Sequence, residues 1–144
     1  MPKGTCVCGA VEFEVRPPYR FFQYCHCSRC RKRSGSLHAT NVAVPVDQVT
    51  FLRGEEHLKR FELPTAERWN NAFCDVCGSA LPAKSRDGRG YVVPVGGIDG
   101  DIGGAPTRNI FVASRASWHV DASSLPSCDA APPPPAPASP PAKT

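Results

Sequence analysis

Methionine occurs once, at the first position, and aromatic residues make up only 8% of the chain. No apolar run approaches the roughly 20 residues that a membrane-crossing helix needs. The opening residues, Met1-Pro2-Lys3-Gly4-Thr5-Cys6, contain no apolar stretch of the kind a secretory signal carries. Long segments with apolar residues at helical spacing are missing too. No Ser-His-Asp set and no paired carboxylates stand out, which removes the usual starting points for hydrolytic chemistry. Acidic residues are absent from Arg16 to Val46, where six Arg or Lys occur. That local imbalance favours an anionic ligand. A net charge of +4 on 144 residues is too mild for a nucleic-acid surface, and the basic residues are not interleaved with aromatics.

Cysteine, by contrast, is plentiful. Seven of the eight fall in tight clusters: Cys6 and Cys8, then Cys25, Cys27 and Cys30, then Cys74 and Cys77, with Cys128 apart. Thiols one or two residues apart rarely bridge each other without strain, and such spacing is what a metal requires. With no signal segment in view, the expectation is a reduced, cytoplasmic setting and not a secreted disulfide scaffold.

The stretch Tyr24-Cys25-His26-Cys27-Ser28-Arg29-Cys30 is followed at once by Arg31, Lys32 and Arg33. On a strand, Cys25 and Cys27 would share a face, and a turn after Cys27 would bring Cys30 back to them. Three thiolates suit zinc but fall one short of the four ligands of a closed structural site. Two divisions of the cysteines compete. Either Cys6, Cys8, Cys74 and Cys77 form one closed site and leave the central three as a second, or Cys6 and Cys8 pair with two of the central cysteines. The first keeps each donor pair whole and is preferred. Whether a histidine (His26, His38, His57 or His119) or Cys128 closes the central trio is left undecided by spacing. His26, between two ligands, should point to the opposite face. His38 and His119 are the candidates for proton transfer.

The remaining pattern is of short strands. Val11, Phe13 and Val15 alternate with Glu12 and Glu14, and Phe21 to Cys25 leads into the metal stretch. Ser28 to Ser34 makes a turn or two of helix, stopped by Gly35. Further strands are expected at Val42–Val46, with Pro45 at an edge or a strand end, at Val49–Leu52, around Leu58, Phe61 and Leu63, at Tyr91–Val95 and at Asn109–Val112. Together they predict a mainly β domain of short antiparallel strands over residues 1–128. The Pro/Ala-rich segment 129–144 has no side chains large enough to build a core and is expected to be a disordered tail.

The chain resembles the glutathione-dependent formaldehyde-activating enzymes, a family that also includes centromere protein V. The likeness runs through Gly4-Thr5-Cys6-Val7-Cys8-Gly9, is sharpest at Cys25-His26-Cys27-Ser28-Arg29-Cys30-Arg31-Lys32-Arg33-Ser34-Gly35, and continues in Phe73-Cys74-Asp75-Val76-Cys77-Gly78 and Ile110-Phe111-Val112-Ala113-Ser114-Arg115-Ala116-Ser117-Trp118. The resemblance implies a zinc-stapled β-tent with two zinc ions per chain. Cys6, Cys8, Cys74 and Cys77 would be the structural ligands, and Cys25, Cys27 and Cys30 the catalytic ones. It further implies a carbon–sulfur lyase-type reaction that joins glutathione and formaldehyde. The basic run offers Arg29, Arg31, Lys32 or Arg33 to offset the charge of the three thiolates and attract glutathione's carboxylates, with Arg29 and Arg31 taken as the binding pair. No membrane and no nucleic acid are expected as partners. One departure is Asn109, where the family often carries a histidine.

Overall fold

The fold is held by one apolar core set between two sheets, in a computed structural model that describes residues 1–134. From residue 135 onward, the expected disordered tail lies outside the described residues. The first sheet uses β1 (Lys3–Thr5), β2 (Glu12–Val15), β5 (Val49–Arg53) and β10 (Ile98–Asp99), in the order β10-β1-β2-β5. The second uses β3 (Phe21–Cys25), β4 (Ala39–Pro45), β8 (Ala83–Lys84), β9 (Gly90–Pro94) and β11 (Arg108–Ile110), in the order β11-β3-β4-β9-β8. A separate hairpin pairs β6 (Leu58–Glu62) with β7 (Asn70–Cys74). Among the described residues no helix is long and apolar enough to cross a membrane.

Alternation decides which side chains form the core. Val11, Phe13 and Val15, around and within β2, are fully buried and meet Phe22, Val42, Val44 and Val93 from the inner face of the second sheet. Each such side chain contributes roughly 1.5–3 kcal/mol through burial. The strand β4 lies between β3 and β9, so both its edges are paired, and it runs buried through Asn41, Val42, Ala43 and Val44. Its Pro45 falls at the strand end, where the missing N–H breaks no interior ladder. The one α-helix among the described residues, α1 (Ser28–Ser34), ends at Gly35 in the left-handed conformation, as the sequence predicts.

Four strands, β1, β7, β8 and β10, fall where the sequence reading names none, and other details differ as well. Leu63 lies beyond β6, and Phe61 is half exposed, with its ring edge-on to Trp69 at 6.4 Å. β11 stops at Ile110, after which the chain takes a left-handed turn at Phe111 and a 3-10 turn over Val112–Ser114. β11 also runs parallel to β3, pairing Asn109 with Tyr24 and Ile110 with Cys25, while the other strand pairs are antiparallel. A strand arriving from the far side of the molecule has no hairpin to dictate its direction.

Gly54 is the tightest backbone approach that a substitution can test. It sits at φ +74°, and a Cβ there would lie 2.0 Å from the carbonyl oxygen of Ala10. Gly54→Ala is therefore expected to lower stability by about 2–4 kcal/mol, from strain and overpacking together. The midpoint of urea unfolding measures this, and an unchanged midpoint would contradict the close packing of this turn against the start of β2.

Candidate metal centre

Two knuckles of nearly the same design meet at the first cysteine cluster. After β1 the chain turns through Cys6–Gly9, with Gly9 N–H donating to Cys6 O at 2.9 Å. After β7 it turns through Cys74–Gly78, with Gly78 N–H donating to Cys74 O at 2.8 Å. Both glycines have positive φ, 75° and 76°, which a side chain would resist. Val7 N–H donates to Ser79 Oγ at 3.0 Å and ties the knuckles together. The Sγ atoms of Cys6, Cys8, Cys74 and Cys77 all lie within 4.8 Å of one another. Cys6 and Cys8 are 3.4 Å apart, and Cys8 and Cys74 are 3.9 Å apart. Four sulfurs placed tetrahedrally at the usual zinc–sulfur distance would stand about 3.8 Å apart, so this donor set fits zinc. Cys77 is drawn down to about 6 by its side-chain and backbone hydrogen bonds with Ser79, which favours the thiolate a metal binds.

The second cluster forms where β3 runs into α1. Cys25 ends the strand, Cys27 is the N-cap of the helix, and Cys30 lies in its first turn. Cys30 N–H donates to Cys27 Sγ at 3.3 Å. The three sulfurs lie within 4.8 Å of one another, and among the described residues the group ends at three. Hydrogen bonding with Cys30 leads in drawing Cys25 down to about 6, while the same contact and then burial push Cys30 up. A metal entering here displaces the retained proton, chemistry that this all-thiol set allows.

His26 does point away from the trio. It is buried, its Nε2 lies 2.9 Å from Asn109 Oδ1, and its ring meets His38 and His119 edge-on at 5.2 and 5.5 Å. Asn109 thus fills the position of the expected histidine by holding His26. His38 stacks on Tyr24 at 4.0 Å. Neither His38 nor His119 lines the cavity described next, so the structure does not bring the two proton-transfer candidates to it. Cys128 is exposed and stands apart from both clusters.

The trio opens into a cavity of about 610 Å³. Its floor is the outer face of the second sheet, where Phe21, Gln23 and Cys25 alternate along β3 and Asn41 lies opposite Gln23. Arg29 and Arg33 reach it from α1, and Arg68 and Trp69 from the loop between β6 and β7. Phe111 and Ser114 complete the side next to β11. Arg33 is not on a solvated face: its Nη2 donates to Asn41 Oδ1 at 3.1 Å. Burial lowers its pKa, and the Cys30, Cys25 and Cys27 thiols oppose that shift. Arg31 is turned elsewhere, donating through Nη2 to Ser114 O at 3.3 Å, and does not line the cavity. Gln23, Asn41, Arg68, Trp69 and Phe111 were not singled out from sequence. Gln23 was within reach, because it shares the period-two face of Cys25. The loop residues carry no local signal.

Residues 1–114 match the glutathione-dependent formaldehyde-activating enzyme family. The chain belongs to that family. A curated relative from Halomonas elongata, named "Putative glutathione-dependent formaldehyde-activating enzyme", is 30% identical over 123 residues, covering 81% of this chain and 78% of the relative. A crystal structure of a Rhodobacter sphaeroides protein is 31% identical with a TM-score of 0.57, covering 72% of this chain and 97% of that one. Membership points to an enzyme of the glutathione-dependent formaldehyde-activating type, and both cysteine clusters could hold metal ions of the zinc kind.

Proposed function

We propose that this protein is a zinc-dependent enzyme of the carbon–sulfur lyase type that joins glutathione to formaldehyde as S-hydroxymethylglutathione. The observation that carries the reading is a three-thiol cluster opening directly onto a cavity lined by Arg29, Arg33 and Arg68. In the assigned roles, Cys6, Cys8, Cys74 and Cys77 hold a structural zinc, and Cys25, Cys27 and Cys30 hold a catalytic one. Residues 1–128 form the working domain, in a reducing, cytoplasmic setting. Zinc at the trio would supply Lewis acidity and stabilise a thiolate near neutral pH. In the net reaction the sulfur of the thiol bonds to the carbonyl carbon, and the thiol proton ends on the carbonyl oxygen.

The chain's own residues bind and orient. Three thiolates leave an excess negative charge once a divalent ion is bound, and the part-buried Arg33 stands where it offsets that charge. Arg29, exposed on the first turn of α1, is free to take a carboxylate of the thiol. Titration of glutathione into the zinc-loaded protein tests this. Arg29→Ala is expected to weaken binding by about 1–3 kcal/mol, and by less at high salt. Arg31→Ala should change it little, because Arg31 is committed to Ser114. Failure of the parent to bind glutathione at millimolar concentration would remove this reaction. Equal losses in the two variants would remove the role given to Arg29.

A further inference from the structure

Phe111 is the only non-glycine residue with positive φ among the described residues, at 56°. An L-residue with a bulky side chain avoids this region, so something must hold it there. The backbone is fixed on both sides. His26 N–H donates to Ile110 O at 3.0 Å, and Ser114 N–H donates to Phe111 O at 3.0 Å. Arg31 then donates to Ser114 O at 3.3 Å. This pinned turn does not tuck the ring into the core. Phe111 is 63% exposed, and among the described residues no aromatic ring or guanidinium pairs with it. Its ring nevertheless lines the cavity.

Register places it more closely. Ile110, the last residue of β11, pairs with Cys25 on β3, so Phe111 comes one residue past the register of the first thiol of the trio. Formaldehyde contributes a single carbon to a thiol adduct. The cavity of about 610 Å³ lies in the range that accommodates drug-sized ligands, and on the reading above the thiol and the electrophile share it. In any adduct of a thiol with an aldehyde, the substituent on the aldehyde carbon lies one bond from the carbon attached to sulfur. If sulfur reacts at the trio, that substituent lies close to it, and of the two phenylalanines lining the cavity Phe111 is the one next to the register of Cys25, while Phe21 lies four residues away along β3.

We infer that Phe111 is a specificity-determining residue whose ring covers an apolar substituent of the electrophile, so that this site takes aldehydes larger than formaldehyde. The inference rests on the thiol reading above and names the second substrate's class. The balance is that of any hemithioacetal: a carbon–sulfur bond forms, the carbonyl π bond breaks, and the thiol proton passes to oxygen.

Two stable thioethers separate the parts. S-methylglutathione carries one carbon on sulfur, as the formaldehyde adduct does, and S-benzylglutathione carries a substituted one. Calorimetry with the zinc-loaded full chain is expected to show S-benzylglutathione binding about tenfold more tightly, the scale of burying a ring against an aromatic partner. Phe111→Ala and Phe111→Gly should reduce the preference to about twofold or less, and Phe111→Tyr should restore it. Glycine accepts the left-handed backbone, so that variant keeps the turn while losing the ring and decides the matter should the alanine variant fold poorly. Equal affinity for the two thioethers in the parent, or a preference that survives loss of the ring, overturns the assignment of Phe111 and leaves the thiol reading standing. Binding of neither overturns the assignment of Phe111, while the titration of glutathione itself decides the thiol reading.

Discussion

Cys74→Ser is expected to leave the domain largely unfolded under conditions where the parent is folded. Cys74 is 1% exposed, ends β7, and lies in the four-thiol cluster that ties the turn after β1 to the turn after β7. A structural zinc in such a site contributes about 10–16 kcal/mol of apparent binding free energy, as much as or more than the whole net stability of an ordinary domain. Serine supplies no thiolate and leaves a hydroxyl buried beside Cys6 and the core. The measurement is thermal unfolding with metal analysis, with and without a chelator. The parent should lose its transition on chelation, and the variant should show little transition to lose. A variant that melts within a few degrees of the parent would mean that the four-thiol cluster does not hold the fold together.

Cys27→Ser is expected to do the opposite: the fold survives and the chemistry does not. Cys27 is the N-cap of α1, and serine is among the preferred N-cap residues, so the helix keeps its first hydrogen bond. Nothing in the core depends on this side chain, which is only half-buried. The trio, however, falls to two thiols. Even residues that merely support a metal ligand change activity by about 10–100-fold when replaced, so loss of a ligand should exceed about a hundredfold. The paired readout is metal content and the rate of S-hydroxymethylglutathione formation, beside the melting temperature. One zinc retained, an intact transition and lost activity is the expected pattern. A drop in melting temperature equal to that of Cys74→Ser would show the second cluster to be structural as well.

These two substitutions differ because the clusters occupy different places in the fold, and the chain alone carries only part of that distinction. Spacing put Cys25, Cys27 and Cys30 within reach of one another, since a strand end followed by a helical turn returns the third thiol to the first two. It left two divisions of the cysteines open, one of which drew two of these three to Cys6 and Cys8. The structure brings Cys6 and Cys8 to Cys74 and Cys77, across 66 residues between Cys8 and Cys74. Likewise, the run from Arg29 to Arg33 read as one basic stretch. On a helix its members diverge: Arg29 and Arg33, four residues apart, reach the cavity, while Arg31 turns to Ser114.

Local chemistry by itself determined β2, β3, the extent of α1 and the glycine that stops it, because each depends on side-chain alternation or on a backbone angle that neighbouring residues set. The same locality carried the thiol knuckles and the mainly β character. What only the tertiary structure decided is the cavity. Its walls come from β3, α1, the loop before β7 and the turn after β11, and none of these is specified by its neighbours in sequence to face the others. The parallel arrival of β11 along β3 sets Phe111 beside the thiols, and no short-range pattern encodes a strand pairing 85 residues apart. Packing of the whole chain around one core fixes that pairing, and with it the side chains that line the cavity at the trio.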